Sequence, residues 1–335
     1  MVTFGSWSVL TVDFLIVLYL SLGGVTLAAL LHLVNGKWRY EVRGIAVALA
    51  SLFPLAFILL VILLAGGKQT FPWLGSHEHM PGWHNYVFLV ARQIGGMLVV
   101  IALWRRFIKL QAVSDRSPED FERFKGTALF IPVAYVLYGT MVAWDFEMTM
   151  IPGWHSAIYG MYHFVSNFHM VLAFMVTLIF ALSRLDKLVK PMPEYVYNYF
   201  GQFMLAFTIL YTYTFFAQYL VTWYGNLGFE RNRIEGMELG DYSVLWWSFI
   251  ILKFFIPFCS LALDWTRHTP GAVVAVACSI MLGTWIERYT WISGSYTSGH
   301  LPMWGWFDIV VTVAVASAVY LILRGTLRRA NLVQA

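Results

Sequence analysis

Long apolar stretches alternate with short polar ones along the chain. Nine of the apolar stretches are long enough to cross a bilayer, at about 20 residues per ~30 Å of hydrocarbon. They run approximately over residues 9–34, 44–65, 85–108, 126–147, 158–183, 196–223, 243–265, 270–289 and 305–325. The pattern predicts an all-α polytopic membrane protein whose single membrane domain uses nearly all of residues 1–335. No Lys or Arg precedes Lys37, and no small-residue cleavage site follows a short apolar core. The first stretch therefore reads as a retained helix, not a signal peptide.

With nine crossings the connections alternate between two faces. Sixteen of the 22 Lys and Arg residues fall on one face. Four fall on the other (Lys68, Arg231, Arg233 and Arg288), and Arg92 and Lys253 lie within spans. The positive-inside rule assigns the cation-rich face to the cytoplasm, with the N-terminus outside and the C-terminus inside. A missed or spurious helix would scramble this alternation, so the helix count and the orientation support each other.

Composition agrees with the pattern: 59% hydrophobic and 12% charged residues, with a mean hydropathy of +0.67. A water-soluble domain of this size needs more charge. The net charge of +4 and pI near 9.0 do not imply nucleic acid, because in a membrane protein the side on which cations lie matters more than their sum. Cys259 and Cys278 lie in apolar runs without ligand spacing and read as small buried hydrophobes. The predicted outer face is poor in cations but rich in aromatics and His, including Trp73, His77, His79, His84, Trp223, Trp291, Tyr296 and His300. Much of this is an interfacial aromatic belt. The His-rich loop from Ser76 to Asn85 and the acidic loop from Glu230 to Asp241 also suit docking of an extracytoplasmic partner.

The densest chemistry lies in Trp144-Asp-Phe-Glu-Met-Thr-Met-Ile-Pro-Gly-Trp-His-Ser156, where Asp145 and Glu147 close an apolar run just before a Pro-Gly break. Carboxylates in that position are costly and point to function, with solvation at a helix end as the bland alternative. At 1.5 Å per residue, Lys253 and His169 lie roughly 15 Å deep, near the midplane. Arg92, His163, Asp13, Asp145, Glu147, Glu287 and Asp308 lie nearer the outer face, and His32 and Asp264 on the inner side. Buried cations pair with acids or lose their charge, so the outer acids are partners for Arg92, and desolvation is an alternative for Lys253. Gln93, Asn167, Gln202, Gln218 and His32 read first as interhelical glue. Glu287-Arg288 reads as an interfacial ion pair. His163 and His169 are six apart and share no helix face, which disfavours haem ligation. No phosphate-binding Gly loop, nucleophile elbow or metalloprotease motif is present.

Ala143-Trp-Asp-Phe-Glu-Met-Thr-Met-Ile-Pro-Gly-Trp-His-Ser-Ala-Ile-Tyr-Gly160 resembles the Asp-Trp-x-Met-Ser-Leu-x-Pro-x-Trp-x-Ser-Thr-x-x-Gly signature of the scaffold-type membrane subunit of alternative complex III. That complex is a membrane quinol:cytochrome c oxidoreductase, related through its membrane subunits to the NrfD-like, polysulfide-reductase type. Phe216-Ala-Gln-Tyr-Leu-Val-Thr-Trp-Tyr-Gly-Asn226 is similar to the Phe-Ser-Gln-Tyr-x-x-x-Trp-Tyr-x-Asn of the same scaffold component. Weaker similarity runs through Gly36-Lys-Trp, Phe255-Ile-Pro-Phe258 and the helix end from Trp285 to Trp291. Two departures stand out: Phe146 follows Asp145 in place of Trp, and Leu227-Gly-Phe-Glu230 replaces a Pro-Glu-Glu. Glu147 is an added acid. These departures are also compatible with a relative serving another periplasmic redox module.

The resemblance implies two four-helix bundles plus a peripheral helix, and a place in a multisubunit complex of a bacterial inner membrane. It implies no cofactor bound by this chain, with quinol or quinone as an alternative ligand. The implied partners are sister membrane subunits, periplasmic iron–sulfur and c-type haem proteins, and lipids, with no nucleic acid. Asp145 is the matched acid; Gln218, Trp223 and Asn226 are matched positions without an assigned role.

Three functions follow as expectations. The first is a non-catalytic scaffold whose interior conducts protons through Asp145 and Glu147, then His163, His169, Lys253 and Arg92, with Asp13 outside and Asp264 and His32 inside. The second is quinol oxidation at the outer face, with Trp154, His155 and His163 as binding candidates. There His155 or His163 accepts one quinol proton and Asp145 or Glu147 the other, and electrons pass to an attached iron–sulfur protein. The third, a solute transporter, lacks paired interrupted helices at corresponding positions of two halves.

Overall fold

The computed structural model describes residues 3–75, 82–185, 187–226, 228–295 and 301–334. His77, His79, Tyr296 and His300, with most of the His-rich loop, lie outside the described residues. The all-α polytopic expectation is met: nine helices among the described residues are long and apolar enough to span a membrane. They are α1 (Phe4–Leu33), α2 (Arg39–Ala65), α3 (Tyr86–Val113), α4 (Pro118–Phe146), α5 (Tyr159–Arg184), α6 (Glu194–Gly225), α7 (Ser243–Leu261), α8 (Pro270–Ser293) and α9 (Trp306–Arg329).

Several helices outrun the apolar stretches that predict them, because their ends are built from capping chemistry. Helix α4 begins eight residues before the expected 126. Ser117 Oγ accepts from the Asp120 amide at 3.1 Å, Pro118 occupies the first turn, and Glu119 and Asp120 face the positive end of the helix dipole. Asn85 caps α3 in the same way, its Oδ1 accepting from the Phe88 amide at 3.0 Å.

Helices α1–α4 form one bundle and α5–α8 a second, joined by α4 against α5 and by α1 against α5 and α8. Helix α9 packs on the outside against α1 and α2, with only 11% of its span buried. Helix α1 is the central mast, 89% buried. Its Gly23-Gly24 pair permits this: an added Cβ would stand 2.4 Å from Val171 of α5 at Gly23, and 2.3 Å from the Ala46 carbonyl of α2 at Gly24. Small residues at such crossings let backbones approach in a solvent that supplies no hydrophobic drive between helices.

Two spans carry a local change of helix type ahead of a proline. In α2 a 3₁₀ turn at Leu49–Leu52 precedes Pro54. In α7 a π-turn at Ile251–Phe255 precedes Pro257, whose ring would collide with the carbonyl of Lys253 in a regular helix. The Leu252 carbonyl is satisfied across the interface by Ser279 Oγ of α8 at 3.1 Å. Cys259 and Cys278, expected to be buried, are exposed on the outward sides of α7 and α8. In a bilayer those faces meet lipid, which is as apolar as a core, so hydrophobicity does not separate the two environments.

Candidate functional site

Helix α4 ends at Phe146, and a 3₁₀ turn over Met148–Met150 leads to Pro152. The carbonyls orphaned by this ending are met by Arg233 of the short helix Gly228–Glu238, which donates to Glu147 O at 2.7 Å and Met148 O at 2.9 Å. Its guanidinium lies 4.5 Å from the Trp154 ring centre and 5.2 Å from that of Trp291. The sequence placed Arg233 in an outer acidic loop; it is instead a buried brace, and the stretch it comes from is helical.

Asp145 and Glu147 part company at this helix end. Asp145, still in the helix, faces α3. Arg92 binds its carboxylate in a two-pronged pair, Nε to Oδ2 at 2.8 Å and Nη2 to Oδ1 at 2.6 Å. Gln93 Nε2 donates to Oδ2 at 2.5 Å and Trp83 Nε1 to Oδ1 at 2.7 Å. Four donors fill the carboxylate's acceptor sites, and the Arg92 guanidinium also lies over the Trp83 ring at 4.1 Å. The expected pairing of Arg92 with an outer acid is therefore present, in a closed lock between α3 and α4.

Glu147 has left the helix (φ −133°) and turns toward α5 and α8. Its Oε2 accepts from Tyr159 Oη at 2.6 Å and from Arg288 Nη1 at 2.6 Å. Its Oε1 lies 3.1 Å from His163 Nε2. The Asn167 amide stands 3.2 Å from His163 Nδ1; read as a donor there, it leaves the ring proton on Nε2, facing Glu147. Arg288 Nη2 lies 3.1 Å from Glu287 Oε2, off the line of a hydrogen bond. Glu287 in turn accepts from Lys253 Nζ and Ser166 Oγ, each at 2.5 Å, from Tyr211 Oη at 2.8 Å, and from Tyr162 Oη. Lys253 Nζ also donates to Ser166 Oγ at 2.6 Å and sits 4.0 Å above the Tyr211 ring.

All five ionisable side chains, Glu147, His163, Lys253, Glu287 and Arg288, are 0% exposed. Two carboxylates face two cations, so the cluster is neutral when His163 is neutral. Burying such charges costs several kcal/mol per ion unless geometry and hydrogen bonds compensate. Here an aromatic shell of Trp154, Tyr159, Tyr162, Tyr211, Trp246 and Trp291 encloses them and supplies hydroxyl donors. The proline-induced π-turn places Lys253 in this shell, and Gly283 of α8 makes room: an added Cβ would stand 2.6 Å from Lys253 Cγ.

Two expectations require correction and one is refined. Glu287-Arg288 is not interfacial, because α8 continues to Ser293 and the Arg233–Trp154–Trp291 cap covers it. Lys253 is both desolvated and partnered: it is wholly buried, and Glu287 is its partner acid. The proposed relay is not one continuous chain among the described residues. His169 Nε2 meets Thr208 Oγ1 at 3.2 Å, and no hydrogen bond joins it to another member of the relay among the described residues. His32 binds the carbonyl of Ala28 in its own helix at 3.0 Å and packs on Tyr40 and Phe124. Asp264 is exposed and pairs with Arg267 at 2.9 Å. Asp13 lies in a separate place, accepting from Trp285 Nε1 at 3.0 Å and Thr312 Oγ1 at 2.8 Å.

The quinol-binding trio does not converge either. Trp154 is buried under Arg233, its Nε1 donating to the Glu230 carbonyl at 3.2 Å. His155 is exposed and bonds its own turn at Gly153 O, while His163 is enclosed with Glu147. The sequence showed Glu287 and Arg288 as a pair at a helix end without linking them to Glu147 or Lys253, and it did not single out Tyr211; the available signal was that Arg288 is one of just four cations on the predicted outer face. No family model and no curated protein matches the chain.

Proposed function

We propose that this chain is a cofactor-free integral membrane subunit of a quinone-linked respiratory electron-transfer complex in a bacterial inner membrane, most like the scaffold-type membrane subunit of alternative complex III. It serves as scaffold for sister membrane subunits and for periplasmic iron–sulfur and c-type haem proteins, and it handles protons through the Glu147–His163–Arg288–Glu287–Lys253 cluster. The observation that carries this reading is the enclosure of two carboxylates, a lysine and a histidine in one hydrogen-bonded network inside a membrane domain. A network that only glued helices would need none of these groups to titrate, and apolar packing does that at lower cost. Glu147, His163, Glu287 and Lys253 can each change charge state, whereas Arg288 cannot, and it holds the two carboxylates at a fixed separation. Asp145, with its acceptor sites filled, is the positional lock of the motif.

The test is purification of the tagged chain from its native membranes, followed by reconstitution in vesicles. Multihaem and iron–sulfur proteins are expected to copurify. With quinol as donor, Glu147→Gln lowers the protons released per electron, and Asp145→Asn leaves that ratio unchanged in the complexes that assemble. A chain that purifies alone, or an unchanged ratio in an assembled Glu147→Gln complex, overturns the reading.

A further inference from the structure

Away from the ion network, α1, α5, α8 and α9 enclose a cleft of about 640 Å³. On α9 its lining recurs at helical spacing from Thr312 through Val315, Val319 and Leu323 to Arg328. Sixteen steps of 1.5 Å make a groove about 24 Å long, most of one hydrocarbon thickness. Between the ends the walls are largely apolar, with Thr177 and Tyr320 among them, and the two ends differ. At the charge-poor end Asp13 is the polar group, and both its oxygens are already engaged, by Trp285 at 3.0 Å and Thr312 at 2.8 Å. At the cation-rich end the lining includes Lys187, Arg324 and Arg328. None of the ion pairs among the described residues involves these three cations.

The rim at that end is built. The chain after α9 returns to the segment after α5, with Val189 N donating to Leu332 O at 3.2 Å and Gln334 N to Lys187 O at 2.6 Å. This pairing sets Lys187 beside the last turns of α9.

We propose that this cleft is a binding site for one anionic diacyl phospholipid, with its phosphate among Lys187, Arg324 and Arg328 and an acyl chain along the α9 groove. Charge complementarity selects the occupant. An apolar groove alone takes any chain, but three cations at one mouth, outside every ion pair among the described residues, favour a negative headgroup there. A quinol head would find only Asp13 at the far end, where each oxygen already accepts one bond, and it would leave the three cations at the other mouth without a negative partner. The site is independent of the ion network. Its role is to bind the peripheral helix α9 to the second bundle through a lipid that touches both.

The test uses the full chain, stripped of lipid in detergent and titrated in native mass spectrometry with dioleoylphosphatidylglycerol or dioleoylphosphatidylcholine. The first lipid bound is expected to show roughly tenfold preference for phosphatidylglycerol. Lys187→Gln, Arg324→Gln and Arg328→Gln together remove the preference while either lipid still binds. Ala316→Trp, at an exposed position of the groove, abolishes tight binding of both, with the helical circular dichroism unchanged. Equal affinity for the two lipids in the native chain overturns the proposal, as does a preference that survives both sets of substitutions. Displacement of bound phosphatidylglycerol by decylubiquinone, lost in Asp13→Asn, makes the occupant a quinone and also overturns it.

Discussion

Lys253 and Glu287 are the residues on which the network turns. Each is wholly buried, and each is the other's nearest opposite charge, at 2.5 Å. Removing one leaves its partner unbalanced in a low-dielectric shell, which typically costs about 3–5 kcal/mol. Lys253→Met and Glu287→Leu are each expected to destabilise the detergent-solubilised chain by about that amount. The double substitution should be much less harmful than the sum, because it removes both charges together. A double-mutant cycle from thermal or denaturant unfolding checks this; additive losses would show that the pair is not coupled. The sequence displayed both residues but not their partnership. It flagged Lys253 by depth and Glu287 by its place at a helix end, yet they lie 34 positions apart on different helices. For Arg92 the sequence indicated an outer acid as partner, but not which of Asp13, Asp145, Glu147, Glu287 and Asp308 it would be; the structure gives Asp145.

At the scale of the element, proline and glycine decide where the lysine sits. Pro257 forces the π-turn that carries Lys253, and Gly283 on α8 leaves the gap the lysine stem occupies. A methyl group at Gly283 would stand 2.6 Å from Lys253 Cγ and 2.9 Å from Leu252 Cβ. Gly283→Ala is therefore expected to destabilise by about 1–3 kcal/mol, against its gain in helix propensity. Gly271→Ala in the same helix has open space at its Cβ and should instead gain up to about 1 kcal/mol. Opposite signs in thermal unfolding of the two variants check the packing; equal signs would count against it. The nine spans were legible because length and hydropathy report a helix directly. Which face of each helix turns inward was not, since core and lipid are both apolar and the period that marks a water-soluble helix fades. That is why Cys259 and Cys278 were misplaced and why the convergence of α5, α7 and α8 on one cluster stayed hidden.

For the whole molecule, the structure strengthens the charge asymmetry from which orientation is argued. Of the four cations assigned by sequence to the outer connections, Arg233 and Arg288 are buried in the site. Only Lys68 and Arg231 reach solvent there, so the cations that the positive-inside rule counts are more one-sided than the raw tally. The prediction is a chain with its N-terminus outside. With Cys259 and Cys278 replaced by Ser, Lys68→Cys and Arg231→Cys should be labelled in intact cells by a membrane-impermeant maleimide. Arg116→Cys and Lys190→Cys should be labelled only after the membrane is opened. The reverse pattern would invert the molecule and place Glu147 and its network toward the cytoplasmic side.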